Sequence, residues 1–217
     1  QFEIGLFAFP NSVSETAGDG SRSSRPPRHW FADAQVLIAR PGPEQSRALG
    51  AAIKGGHNAE HHNHNDVGTY VVALGKRAPL VDPGGEVYTA RTFSAQRYES
   101  VVLNSFGHPV PRVAGQLQVT GRKAAATVLE TNFADATDRL VLDLKAAYAV
   151  PELRKLRRTF VFSREGRGSL TVVDEVLFSE PKAFETALVT LGEWKDLGDG
   201  KLRVTDRDES VDVQIDA

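Results

Sequence analysis

The sequence predicts an all-β chain, an antiparallel β-sandwich preceded by an irregular N-terminal segment. Three observations predict it. Apolar and polar residues alternate over short stretches, most clearly at Leu140–Tyr148. There Leu140, Leu142, Leu144 and Ala146 share one face, and Val141, Asp143, Lys145 and Ala147 share the other. Turn-forming connectors recur between such stretches, at Arg164–Gly168, Ser179–Pro181 and Gly198–Gly200. Neither a βαβ alternation nor the roughly 20–50-residue repeat of a solenoid or propeller is evident.

Strands are expected at Gln35–Ala39, Val67–Leu74, Leu117–Thr120, Ala126–Glu130 and Leu140–Tyr148. Further strands are expected at Thr159–Phe162, Ser169–Phe178, Phe184–Leu191, Lys201–Val204 and Val211–Ile215. One helix is expected at Thr92–Val102. Phe2–Phe9 is apolar, whereas Asn11–Arg28 is rich in Ser, Gly, Arg and Pro and reads as a linker or long loop. The domain division is therefore residues 1–28 as a linker or the end of a preceding domain, and 29–217 as the sandwich.

Composition narrows the function classes. The 217 residues carry 26 basic and 28 acidic side chains, a net charge of −2, which argues against a nucleic-acid binder. No stretch approaches the ~18–20 uncharged apolar residues of a membrane-spanning helix, so no membrane partner is expected. Cysteine is absent, so disulfides do not staple the fold and give no reading of compartment. Methionine is absent too and the chain opens at Gln1, which reads as a fragment or processed product.

Most of the chemical information lies between Gly55 and His108. The run from Gly55 to Asp66 holds His57, His61, His62 and His64, four of the six histidines, and leads into an expected strand. His62 and His64 are two apart, which on extended backbone puts both on one face. Neutral imidazoles with a carboxylate form a common zinc set. Asp82, between an apolar run and a Pro-Gly turn, is a carboxylate whose burial would call for a partner such as a metal. Each residue also has a plainer reading. Histidine-rich loops are often solvated, Asp82 suits a turn-former before Pro83, and His108 suits an ordinary loop.

These residues resemble the heparinase II/III-like polysaccharide lyases, in the C-terminal β-sandwich domain that follows their α/α toroid. The resemblance is carried by Lys54-Gly55-Gly56, His62-Asn63-His64-Asn65-Asp66, Tyr70–Leu74, Val81-Asp82-Pro83-Gly84 and Asn104-Ser105-Phe106-Gly107-His108. It implies that His64, Asp82 and His108 hold Zn2+, although Pro109 stands where the family usually has Asn. It implies that His62 lies beside substrate and assists catalysis, and that Tyr98 faces substrate. Glu60 and Asp66 would orient ligand imidazoles.

The implied reaction is β-elimination at a uronic acid unit of an acidic polysaccharide. A base takes the C5 proton, the carboxylate charge is neutralised, and the glycosidic oxygen leaves. The main base and neutraliser would come from an α/α-toroid domain of the same protein, so this chain alone would be catalytically incomplete. A periplasmic or secreted location follows from the substrate class. Two alternatives stand beside this reading. A cupin-like metal enzyme shares the His-x-His spacing but needs a Glu that Val67–Tyr70 lacks. A non-catalytic carbohydrate-binding β-sandwich needs no metal chemistry.

Overall fold

Alternation that buries every second residue needs an apolar surface to face, and two sheets provide it for each other. The computed structural model describes residues 26–42 and 48–216. Its strands, in chain order, are β1 (Arg28–Phe31), β2 (Val36–Ala39), β3 (Leu49–Lys54), β4 (His57–Asn58), β5 (Tyr70–Leu74), β6 (Arg77–Leu80), β7 (Arg112–Val113) and β8 (Gly121–Ala125). They continue with β9 (Thr127–Phe133), β10 (Thr137–Asp143), β11 (Leu153–Ser163), β12 (Ser169–Phe178), β13 (Phe184–Glu185), β14 (Glu193–Gly198), β15 (Lys201–Asp206) and β16 (Glu209–Gln214).

One sheet runs β1-β2-β3-β5-β6 and the other β12-β11-β10-β9, with antiparallel pairing throughout. Leu37, Ile53, Tyr70 and Val72 from the first pack with Leu140, Leu142, Leu156 and Phe160 from the second in a single cluster. Each such side chain contributes about 1.5–3 kcal/mol by leaving water. The small sheet β14-β15-β16 closes one side, with Val204 reaching the same core. The fold is therefore the expected β-sandwich. No described helix is long and apolar enough to cross a membrane.

The inward face of β11 carries Leu156, Arg158, Phe160 and Phe162, and Arg158 is fully buried among them. Its cross-strand neighbour is Asp174 on β12. Arg158 Nε and Nη2 donate to the two Asp174 carboxylate oxygens, each at 2.7 Å. Nη1 donates to the carbonyls of Gly68 at 3.0 Å and Pro109 at 2.8 Å, and Nη2 also to Thr186 Oγ1 at 3.0 Å. This single guanidinium ties the second sheet to two loops that enter from the first.

Local chemistry explains where expected elements differ. The helix expected at Thr92–Val102 is instead broken into 3-10 turns at Arg91–Phe93 and Arg97–Glu99, with a third at Ser105–Gly107. Side chains take the backbone groups a helix would use. Ser94 Oγ donates to Arg91 O, and the Arg97 guanidinium captures the carbonyls of Thr92 and Asn63. Leu117–Thr120 forms no strand, because Gln118 turns inward and bonds both backbone groups of Val67.

Strand β10 stops at Asp143, whose Oδ1 accepts from Lys145 N, and Ala146 is exposed rather than on the buried face. Phe184–Leu191 pairs only at Phe184–Glu185. The linker expected at Asn11–Arg28 and the apolar Phe2–Phe9 lie almost wholly outside the described residues, and β1 begins at Arg28.

Replacing Arg158 by Met leaves the buried Asp174 carboxylate and two loop carbonyls without their donor. The expected loss is about 3–5 kcal/mol in urea unfolding, and Arg158→Met/Asp174→Leu, which buries no lone charge, should recover part of it.

Candidate functional site

The loop between β4 and β5 is closed by backbone bonds that make a narrow neck. Lys54 N donates to Thr69 O, Gly68 N to Lys54 O and Thr69 N to Asp66 O, each at 3.0 Å. Gly68 takes φ +87°, and a Cβ there would strike Leu144 Cδ1, so only glycine fits at the neck. Arg158 grips the carbonyl of this same glycine.

Two other segments converge on the neck. Asp82 lies just beyond β6, where Val81 N is fixed to Val189 O at 2.9 Å. His108 follows the 3-10 turn Ser105–Gly107, which Asn104 caps by accepting from Phe106 N at 2.8 Å. A Cβ on Gly107 would collide with Val101 O, so this turn can pack tightly behind His108 only because the residue is glycine. Arg158 holds Pro109 O on the far side.

At the meeting point, Asp82 Oδ2 accepts from Thr69 Oγ1 at 2.6 Å and lies 2.8 Å from His108 Nδ1. Asp82 Oδ1 accepts from Gly84 N at 3.3 Å. Burial works against the Asp82 carboxylate, but these donors outweigh it and hold its pKa below the usual range. Burial likewise opposes charge on His108, and the Asp82 carboxylate outweighs that and raises its pKa. His108 is completely buried and its Nε2 makes no hydrogen bond of ordinary geometry, although the Val102 backbone also favours the charged ring. Such an orphan costs about 1–3 kcal/mol unless something fills its lone-pair or proton direction.

His64 stands beside this pair, its ring 5.4 Å from that of His108 and tilted by 59°. Burial and the neighbouring His108 push its pKa down to about 4, so it is a neutral imidazole at neutral pH. The side chains whose donor atoms lie within 4.8 Å of one another are Asp66, Asp82 and His108, all buried. His64 borders that group, and Asp66 sits inside it. A buried imidazole and two carboxylates, with a second neutral imidazole alongside, could hold a metal ion, and the unpartnered His108 nitrogen fits that use.

The outer surface is aromatic. His62 is exposed, has φ 55°, and stacks flat on Tyr88 at 5.4 Å with 2° between the rings. Phe93 meets Tyr88 edge-on at 5.4 Å and is 70% exposed. Tyr98 is half-buried beneath the loop, where its hydroxyl accepts from Asn63 Nδ2 at 3.0 Å. A phenol used this way as acceptor keeps its own proton available.

Of the five residues singled out from sequence, Asp82 and His108 are in direct contact, His64 adjoins them, His62 is on the loop above, and Tyr98, in the 3-10 turn Arg97–Glu99, bonds to Asn63 of that loop. Tyr88 escaped the sequence reading. Its signal was an aromatic set just after the Asp82–Gly85 turn, which has no meaning until the loop folds over it. Lys54 was also missed as a participant. Its ammonium is buried and bound to Asp66 Oδ1 at 2.6 Å and Glu60 Oε2 at 3.3 Å.

No protein-family model matches the sequence, and no curated protein matches it. Solved structures that match the fold include heparan sulfate lyase HepC from Pedobacter heparinus, with a TM-score of 0.66, and a mutant of the same protein, with 0.65. Each is 18% identical, and each match covers 83% of this chain but 27% of the lyase. The chain thus spans about a quarter of the length of these proteins. It has the fold of a heparinase-like β-sandwich domain.

Proposed function

We propose that this chain is the zinc-holding sandwich of a polysaccharide lyase that cleaves a uronic-acid-containing polysaccharide by β-elimination. The observation that carries the metal part is the buried Asp82–His108 pair with its unpartnered imidazole nitrogen beside neutral His64. His64, Asp82 and His108 are the proposed ligands. They come from three segments distant in sequence, so an ion here supplies a crosslink that fixes the loop bearing His62. The likeness to a heparan sulfate lyase supports the choice of reaction.

The chain's own residues then have distinct tasks. The exposed Tyr88, with His62 stacked on one face, and Phe93 beside it offer apolar ring surface on which a sugar ring can rest. His62 assists removal of the C5 proton, whose bonding pair becomes the C4–C5 double bond as the C4–oxygen bond breaks. Tyr98, bound to Asn63 through its acceptor lone pair, has a proton to give to the departing oxygen. The principal base and the carboxylate neutraliser belong, in this proposal, to an α/α toroid elsewhere in the protein. The polysaccharide substrate makes a periplasmic or secreted location the consistent one. A non-catalytic carbohydrate-binding module is the second reading, favoured by the exposed aromatic pair alone.

Metal analysis of the purified chain should find about one zinc per molecule, lost in Asp82→Asn and in His108→Ala. Zinc at a hundredfold excess over Kd should stabilise the fold by about 2.7 kcal/mol, raising Tm by about 5–10 °C in a domain of this size. An unchanged Tm on adding zinc or chelator would point to the second reading.

Incubated alone with heparan sulfate, alginate or hyaluronan, the chain should bind one of them without releasing unsaturated uronate. Tyr88→Ala should weaken retention on that polysaccharide in affinity electrophoresis by about tenfold. Rapid appearance of unsaturated ends would refute the division of catalytic groups between domains.

A further inference from the structure

Lys54, Glu60, His64, Asp66, Asp82 and His108 crowd the base of the site, and two of its three carboxylates, Asp66 and Asp82, lie where each could bind a cation. Asp66 and Asp82 both belong to the group of donor atoms within 4.8 Å of one another. A site using both with His108 would be rich in carboxylate oxygen, the kind of set that suits manganese, magnesium or calcium. A site using Asp82 with His64 and His108 has two nitrogens and one oxygen, which suits zinc. The ligand set implied for zinc leaves Asp66 out. Something must therefore occupy that carboxylate, because a buried anion 4.8 Å or less from the ligand atoms would otherwise be drawn to the ion.

Lys54 does so. It is the last residue of β3, its side chain is only 3% exposed, and its Nζ lies 2.6 Å from Asp66 Oδ1. The stem is fixed at its base, since Lys54 N and O are both bonded across the neck to Thr69 and Gly68. Glu60 Oε2 at 3.3 Å supplies a second anchor from the opposite side of the loop. The neighbouring Gly56 is approached by the Lys54 stem and by the Glu60 carboxylate, so the ammonium sits in a fitted pocket. Nothing in the proposed elimination uses this lysine.

We infer that Lys54 determines which cation the site takes: by claiming Asp66 it leaves His64, Asp82 and His108 as a zinc set and denies the site its second carboxylate. Lys54 is a positioning residue, acting on the ion through Asp66 and on the loop through Glu60. The inference rests on the metal reading proposed above and adds to it the origin of the metal preference.

The test compares zinc with manganese on the metal-stripped full chain, zinc by competition with a chromophoric chelator and manganese by the loss of its free electron-paramagnetic signal. Circular dichroism and thermal melts verify that each variant is folded. In Lys54→Met, Asp66 is released, and the preference for zinc over manganese should fall at least tenfold, the scale on which groups behind the ligands tune affinity. Lys54→Met/Asp66→Asn should restore the original preference. A folded Lys54→Met that keeps the wild-type ratio overturns the inference while leaving the zinc site intact.

Asp66→Asn gives an answer even if Lys54→Met fails to fold. It retains the shape of the side chain and leaves Lys54 with Glu60. Zinc affinity should stay within about threefold of wild type, whereas a loss of about a hundredfold would put Asp66 among the ligands and overturn the inference. A wild-type chain that takes up no zinc overturns the metal reading and this inference with it.

Discussion

The arrangement depends on one buried cation, the guanidinium of Arg158. A fully buried arginine is tolerated only when its donors are satisfied, and here a carboxylate, two carbonyls and a hydroxyl take them. The two carbonyls belong to Gly68 and Pro109, the residues next to Thr69 and His108. The charge that must be neutralised inside the sandwich therefore also fixes the spacing between the loop neck and the segment carrying His108. Asp82 completes the arrangement by bonding to Thr69 and His108 at once. Site geometry thus follows from core electrostatics.

A second buried ion group at the other end of the sandwich obeys the same rule. Asp138 on β10 is completely buried and receives Arg28 from β1 and Arg164 from the turn after β11. Arg164 also binds the carbonyls of Pro27 and Arg40, and its guanidinium lies 5.0 Å from the Phe162 ring centroid. The Arg28–Asp138 pair joins the two sheets directly, whereas the Arg158–Asp174 pair lies within one sheet and reaches across through the Gly68 and Pro109 carbonyls. Apolar contacts hold the sheets together without direction, while these bonds set their register. The site lies at one such end because loops held by a rigid scaffold are where polar groups can converge.

The site itself is layered. Lys54 with Asp66 and Asp82 with His108 are buried, Glu60 and His64 are part-buried, and the rings of His62, Tyr88 and Phe93 are exposed. Lys54 compensates Asp66 within the buried part, and His108 compensates Asp82. Burial and His108 keep His64 neutral, with the opposing pull of Asp82 too weak to prevent it. Neutral imidazole is the form that binds metal. The exposed His62, by contrast, is held by stacking and by a left-handed backbone.

Sequence alone determined the fold class, which is written in local patterns, and brought forward His62, His64, Asp82, Tyr98 and His108 as candidates for the site. Period-two alternation specifies a strand with one face turned inward, as β12 shows by alternating exposed and half-buried residues over its whole length, Ser169–Phe178. The His62–Asp66 run, the Asp82 turn and His108 were likewise visible as residue types set beside strand ends. Tertiary structure decided what those residues do to one another. Arg157 and Arg158 are indistinguishable in a row of letters, yet one lies on the solvent side of β11 and the other in the core, since only cross-strand register puts Asp174 opposite. The same holds for Lys54 and Tyr88, and for the helix that never forms at Thr92–Val102. Their partners lie in other segments, and bonds between distant segments exist only once the chain has closed on itself.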